Sequence, residues 1–428
     1  MKIFKHRNFS LMFFGRIISN IGDSLYGVAA MLLIYQLGGS TFYTGLAGFL
    51  SILPRIVEFC SGPLIDKIPI KSLLVRTQII QSGLLLLIPL ASLLDVLSVA
   101  LVLTLTPIIS AINVLIFPAQ MAALPKVLPE ELLTRGNSLF TVAYQGVDIA
   151  FNGLAGILFV AIGPFALYTT NSITFLIGAI VFSMIRMPKE QAEASHENEM
   201  NARESVKSFV KNYLSDLREG LNMIMNTFLA KLLYGVIVLN LAVASLIAVF
   251  PEYGELIGGT EFVGFLLMAG ALGSLIGALL APSLKLEQFP LGKLFSYGFF
   301  IMGFLWIFAV MMPSPWLTLA LYLIGWIPAG AINVLVFTMV QKTAPKHLTG
   351  RLMTATTSLS GMAAPLGALI GGSLGTWIGS PSVVFINSAI IILIALLWLI
   401  NPVVRNIPPT KNLDQNTFAN SALATEGN

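Results

Sequence analysis

Ala111-Ile112-Asn113-Val114-Leu115-Ile116-Phe117 returns as Ala331-Ile332-Asn333-Val334-Leu335-Val336-Phe337, 220 residues further along a chain of 428. The echo continues in register. Pro125-Lys126 answers Pro345-Lys346 at the same offset; Arg135, Gly156, Gly163, Asn171 and Ser172 answer Arg351, Gly372, Gly379, Asn387 and Ser388 at 216, which implies a four-residue deletion. Both copies lie in very apolar sequence, so a hydrophobic unit was doubled in the same direction along the chain.

Composition says where such a unit can live. Hydrophobic residues make up 56% of the chain and charged residues 10%, with a mean hydropathy of +0.86, whereas soluble domains carry about 25% charged residues. A water-soluble reading is excluded. Within a bilayer every backbone polar group must be satisfied inside its own segment or in a closed barrel, and long apolar runs without strict alternation mean helices. Twelve such runs are legible, over approximately 10–36, 43–65, 72–94, 97–124, 138–162, 164–186, 228–251, 261–284, 291–312, 315–341, 352–378 and 381–401. The expected fold is therefore an all-α membrane protein with six plus six transmembrane helices in two pseudo-symmetric bundles, residues 1–186 and 228–401.

The first run is too long for a signal-peptide core, holds Arg16 and Asp23, and lacks a small-residue cleavage site, so it reads as a spanning helix. Cys60 is the single cysteine, which excludes an internal disulfide and a cysteine-based metal cluster. The formal net charge of +4 does not point to nucleic acid, because Lys and Arg on a membrane protein collect on one side for topology. They do so here: Lys2, Lys5, Arg7, Lys67, Lys71, Lys126, Arg135 and the basic residues after the sixth run alternate with turns such as Gly38-Gly39-Ser40, Gly163-Pro164 and Gly379-Ser380-Pro381 that hold none. The positive-inside rule then puts both termini and the middle loop in the cytoplasm. That loop, 187–227, is read as a linker whose Val206, Phe209, Val210, Tyr213, Leu214 and Leu217 share one helical face, fit to lie on the inner leaflet or to pack under the bundle. The segment 402–428 is polar and reads as an unstructured cytoplasmic tail.

Between the second and third runs stands Gly62-Pro63-Leu64-Ile65-Asp66-Lys67-Ile68-Pro69-Ile70-Lys71. It resembles the signature loop of the major facilitator superfamily, Gly-x-Leu-Ala-Asp-Arg-x-Gly-Arg-Lys, with Gly62, Leu64, Asp66, Lys67 and Lys71 matching in position or charge type and Pro69 replacing the second glycine. The resemblance implies a gating role for Gly62, Asp66, Lys67 and Lys71, with glycine permitting close helix approach and Asp66 set against a helix N-terminus. Within that superfamily, Gly15-Arg16-x-x-Ser19-x-x-Gly22-Asp23 and Pro118-Ala119-x-x-Ala122-x-Leu124-Pro125 look like the bacterial efflux branch of macrolide and enterobactin exporters. The implied activity is outward transport of a small amphipathic molecule against proton entry, in the bacterial plasma membrane, by a monomer whose partners are its substrate and membrane lipid. No cofactor is implied beyond the proton gradient. One departure is that Phe151-Asn152 stand where many proton antiporters of the superfamily carry Gly-Pro in the fifth helix, although Gly153 and Gly156 are present.

Charges inside the spans are the candidates for coupling. Asp23, Glu58 and Asp148, with Arg16 and Arg55, lie within predicted helices, where an ionised side chain costs at least about 2.5–3.5 kcal/mol unless it pairs, faces a cavity or binds a proton. Asp23 is the first choice of proton carrier; the alternative is a fixed acceptor bracing a neighbouring helix. Arg55 and Glu58, three apart on one face, read as an ion pair or as a switch in which Glu58 exchanges Arg55 for a proton. Asp148 has Arg16 or Arg55 as possible partners. His6, His196 and His347 show no metal-ligand spacing, and no metal is expected.

Asn113 and its repeat partner Asn333 are substrate-cavity candidates, since an amide in hydrocarbon needs a partner, either substrate or a neighbouring helix. Gln36, Tyr144, Asn240, Trp326 and Gln341 are further contact candidates. Gly273-x-x-x-Gly277 and Gly367-x-x-x-Gly371-x-x-x-Gly375 read as close-packing faces. The expectation is a carrier working by alternating access. The rivals are an importer or facilitator of a polar nutrient and, from another class, a membrane enzyme or receptor. The latter lacks any nucleophile and base at usable spacing and any sizeable signalling domain.

Overall fold

The structure, a computed structural model, describes residues 3–57, 69–186, 228–343, 356 and 359–413. Fourteen α-helices follow in chain order: α1 (Arg7–Gly38), α2 (Thr41–Val57), α3 (Ile70–Leu93), α4 (Val99–Val114), α5 (Ile116–Val127), α6 (Leu133–Ser183), α7 (Phe228–Ala248), α8 (Phe250–Ile257), α9 (Glu261–Ser283), α10 (Leu291–Met311), α11 (Pro315–Thr343), α12 (Ala364–Ile378), α13 (Ser380–Ile400) and α14 (Pro402–Arg405). Among the described residues nine helices are long and apolar enough by length and composition to cross a membrane, and α2 and α4 are shorter apolar helices. The count differs from twelve for local reasons. Pro118 has no N–H to give to the carbonyl of Val114, so one span is divided into α4 and α5. Conversely α6 holds two spans in 51 residues, joined where Gly163 leaves helical geometry at φ 78° and ψ 165°. With α6 counted as two spans, α4 and α5 as one, and the short α2 included, twelve spans are present among the described residues.

Helix ends follow from their sequence. Gly39 closes α1 in the left-handed region at φ 61°, its N–H donating to the Tyr35 carbonyl at 2.8 Å. Ser98 caps α4 by accepting from the Leu101 N–H at 3.3 Å. Asn401 accepts from Val403 and Val404 to start α14.

The chain divides into two compact units. One draws on Met1–Gly39, Leu50–Lys211 and Gly259–Met268; the other on Ser40–Phe49, Asn212–Gly258 and Ala269–Asn428. The first is centred on Phe9, Met12, Phe13, Leu74, Phe140 and Phe182, all buried. With lipid as solvent, helices gain little from apolar burial and must associate through close van der Waals fit, so small residues mark the contacts. A Cβ on Gly15 would fall 2.7 Å from the Phe182 ring, and one on Gly156 would fall 2.7 Å from the Glu261 carbonyl oxygen. In the second unit a Cβ on Gly277 would strike the Ile327 carbonyl, one on Gly330 the Ser274 carbonyl, one on Gly367 the Leu241 carbonyl and one on Gly371 the Ser245 carbonyl. The two glycine stripes read from the sequence are thus packing faces, α9 against α11 and α12 against α7.

The duplication survives in detail. Gly15 is seated against Phe182 in the first repeat and Gly235 against Trp398 in the second, and these positions are related by the offsets 220 and 216. Among the repeat-related Asn-Ser pairs, Asn171, Ser172, Asn387 and Ser388 are all buried. Ser172 shares a 2.7 Å hydroxyl contact with Ser82 on α3, and Asn387 donates to Ser245 on α7 at 2.8 Å.

The expectation of an unstructured tail does not hold for residues 402–413. After α14 the chain pairs Pro409 with Pro290, accepts the Leu291 N–H on the Pro408 carbonyl at 3.4 Å, and takes Lys342 Nζ on the Thr410 carbonyl at 3.1 Å. Val404, Ile407, Thr410 and Leu413 are buried. Polar composition concealed this, because four apolar or hydroxyl side chains, one in every three residues, are enough to seat a short segment. Residues 414–428, and the linker 187–227 with its amphipathic face, lie outside the described residues.

Candidate functional site: a charged cluster and an uncharged cavity

Four residues of α1 at helical spacing, Arg16, Asn20, Asp23 and Ser24, build a polar face within the first unit. Arg16 Nη1 stands 3.3 Å from Asp23 Oδ2, and Asn113 of α4 donates its Nδ2 proton to Asp23 Oδ1 at 2.8 Å. Asp148 of α6 accepts from the Ser24 hydroxyl at 2.7 Å and from Asn20 Nδ2 at 3.4 Å. Asn20 also donates to the Tyr144 carbonyl at 3.3 Å and accepts from Arg16 Nη2 at 3.4 Å. The guanidinium lies 4.5 Å from the centre of the Tyr144 ring, whose hydroxyl donates to Gln120 Oε1 at 2.9 Å. Charge is therefore balanced in part by a counter-ion, in part by a π face and in part by neutral donors.

The Arg16–Asp23 pair is close enough for strong attraction, yet Arg16 Nη1 and Asp23 Oδ2 make no directed hydrogen bond. One carboxylate oxygen is held by Asn113 at 2.8 Å, the other chiefly by the charge of Arg16. Such an acid can exchange its cation for a proton with little rearrangement, since only a non-directional contact has to be given up.

The second unit contains a cavity of about 410 Å³, within the range of small-molecule pockets. Asn240, Asn333, Trp326 and Ser360 lie on its wall beside Phe295, Phe299 and Met302, and among the described residues none that lines it carries a charge. Asn240 Nδ2 donates to the Val236 carbonyl of its own helix at 3.0 Å. The Thr356 hydroxyl, also on the wall, is buried without a hydrogen-bond partner among the described residues.

The residues singled out from the sequence are distributed as follows. Arg16, Asp23, Asp148, Asn113 and Tyr144 come together in the charged cluster. Asn240, Trp326 and Asn333 come together on the cavity wall. Gln36 is exposed near the end of α1 and joins neither. Lys71, the second residue of α3, is partly buried. Glu58, Gly62, Asp66 and Lys67, with the side chains of Arg55 and Gln341, lie outside the described residues. Asp148 is held by Ser24 and Asn20, where Arg16 or Arg55 had been the expected partners. Asn20, Ser24 and Gln120 escaped the sequence reading, although the spacing 16, 20, 23, 24 was available as a signal. Among the described residues no group of three or more His, Cys, Asp or Glu could hold a metal ion.

Long apolar helices in a doubled array, a buried charge cluster and a cavity of small-molecule size are the features of a membrane transporter. The chain belongs to the Major Facilitator Superfamily, whose family model matches residues 12–364. It is 26% identical over 372 residues to the uncharacterized MFS-type transporter YkuC of Bacillus subtilis, covering 82% of each chain. It is 21% identical over 417 residues to the multidrug efflux pump Tap of Mycolicibacterium fortuitum, covering 93% of this chain and 96% of that one. In fold it resembles a bacterial homologue of the human lysosomal transporter Spinster, solved in an inward-facing, unoccupied conformation, with a TM-score of 0.68 at 12% identity over 94% of this chain and 97% of the other.

Proposed function

We propose that this carrier exports a small amphipathic molecule by alternating access, driven by proton entry, with Asp23 as the proton-binding group, Arg16 as its exchangeable partner and Asp148 as a second acid in the same cluster. The observation that carries the reading is the asymmetric seat of Asp23, one oxygen fixed by Asn113 at 2.8 Å and the other in a 3.3 Å ion pair without a directed hydrogen bond. Protonation would neutralise Asp23 and free Arg16 for a substrate acceptor while it stays over the Tyr144 ring. Substrate occupancy would then be linked to proton occupancy, because each ligand favours one arrangement of the same network. Efflux as the direction is supported by the relatives named as multidrug efflux pumps, and the aromatic and methionine walls of the second unit's cavity suit apolar substrates. The distribution of Lys and Arg supports a multi-pass plasma-membrane carrier with both termini and the 187–227 linker cytoplasmic.

The test is uptake into inverted membrane vesicles under an imposed pH gradient, acid inside. Accumulation that collapses when a protonophore is added supports the reading. Equal uptake with and without the gradient overturns the coupling, and uptake only in right-side-out vesicles overturns the direction.

A further inference from the structure

The charged cluster of the first unit and the uncharged cavity of the second occupy the same place in the two repeats. Gly15, Ile17 and Asn20 of α1 recur as Gly235, Ile237 and Asn240 of α7 at the offset 220, the one that also relates Asn113 to Asn333. On that register Arg16 corresponds to Val236, Asp23 to Val243 and Gln120 to Val340; at 216, Phe140 corresponds to Thr356, Tyr144 to Ser360 and Asp148 to Ala364. Val236, Asn240, Val243, Asn333, Thr356 and Ser360 all line the cavity. The first-repeat locus, walled by Phe13, Arg16, Asn20, Phe140 and Tyr144, is filled by these side chains and has no room for a water molecule. The asparagines were kept in both copies, the charges in one.

The cause of the cavity follows directly. Where the first repeat holds two aromatic rings and a guanidinium, the second holds a threonine, a serine and an isopropyl group, so the same locus carries less side-chain bulk. With valine at the positions of both the acid and the base, nothing at these positions compensates a charge placed there. What remains is an apolar-walled space with the Thr356 hydroxyl and the Trp326 indole N–H buried without hydrogen-bond partners among the described residues, and the Asn333 amide on its wall.

We infer that this second-repeat locus is a binding site for the uncharged, flat or bulky apolar part of a ligand bearing one or two hydrogen-bonding atoms, and that it rejects a cationic centre. Ionic recognition is left to the repeat that kept Arg16, Asp23 and Asp148. The inference rests on the transport reading only for its consequence; binding itself can be measured without transport. A neutral ligand group satisfies Asn333 and Thr356 and fills apolar volume, whereas an ammonium must shed water against valine and phenylalanine with no counter-ion.

The test uses the full chain in lipid nanodiscs and a matched pair of probes, a neutral 7-diethylaminocoumarin and its trimethylammonium-bearing analogue, by equilibrium dialysis with empty nanodiscs subtracted. The neutral probe is expected to bind at least about a hundredfold more tightly than the cation, the scale set by placing a charge in an apolar membrane interior. Asn333→Leu should weaken the neutral probe by about tenfold, and Val243→Asp, which restores the acid of the other repeat, should bring the cation to within about tenfold of the neutral probe. If Val243→Asp fails to fold, Ser360→Tyr, which refills the cavity with the first repeat's side chain, should abolish neutral binding. Equal affinities of wild type for the two probes, or neutral binding unchanged in Asn333→Leu and Ser360→Tyr, overturns the inference. Tight, variant-sensitive binding of a probe that is never moved across vesicles would leave this site standing and instead count against the exporter reading.

Discussion

Gly163 and Gly379, 216 residues apart, adopt nearly the same backbone angles, φ 78° and ψ 165° against φ 77° and ψ 152°. Each breaks the chain between the last two spans of its repeat, and each is followed closely by a proline, Pro164 or Pro381. These angles are accessible to glycine and strained for any L side chain. Alanine at either position should therefore cost about 1–3 kcal/mol. The check is the midpoint of thermal unfolding in detergent, expected to fall in both variants by similar amounts, since the two sites are repeats of one device.

Gly235 and Gly83 should respond oppositely to alanine. A Cβ at Gly235 would run into the Trp398 indole, whereas one at Gly83 meets nothing within 4 Å. Gly83→Ala should raise stability by about 0.5–1 kcal/mol through helix propensity, and Gly235→Ala should lower it. Unfolding midpoints measured side by side decide the matter; a stabilised Gly235→Ala would mean that the α7–α13 contact is looser than described.

Arg16 and Asp23 should behave as a coupled pair. Removing one partner leaves a buried, uncompensated charge at about 3–5 kcal/mol, so Arg16→Gln and Asp23→Asn singly should each lower the midpoint more than the double variant does. A double variant as unstable as the sum of the singles would remove the pair from the account.

The seated tail gives a fourth expectation. Ile407 is 2% exposed, so Ile407→Asp would bury a carboxylate among apolar neighbours and release the segment that carries Thr410 to Lys342. Limited proteolysis after residue 401 should accelerate in this variant and remain slow in the wild type.

Twelve spans could be read because apolar runs in lipid carry their own length rule, and only the helix interruptions at Pro118 and Gly163 changed how they are counted. The charged cluster was half legible. Arg16, Asp23 and Asp148 stand out as charges in apolar sequence, but Asn20, Ser24 and Gln120 are ordinary polar residues whose role depends on which face of α1 meets α6. The cavity was least legible, because it is made by what is missing: Val236, Val243 and Ser360 look unremarkable until set against Arg16, Asp23 and Tyr144 across the repeat. Nothing in the tail's composition announces Ile407 or Leu413 as anchors, since contact with α10 and α11 decides their burial.

The most direct measurement is transport of the neutral coumarin in inverted vesicles by Asp23→Asn, with pH-driven accumulation and substrate exchange followed in the same preparation. Exchange should persist while accumulation against the gradient is lost, because the variant keeps an amide beside Asn113 and can no longer take up and release a proton. Accumulation equal to wild type would contradict the assignment of Asp23 as the coupling group.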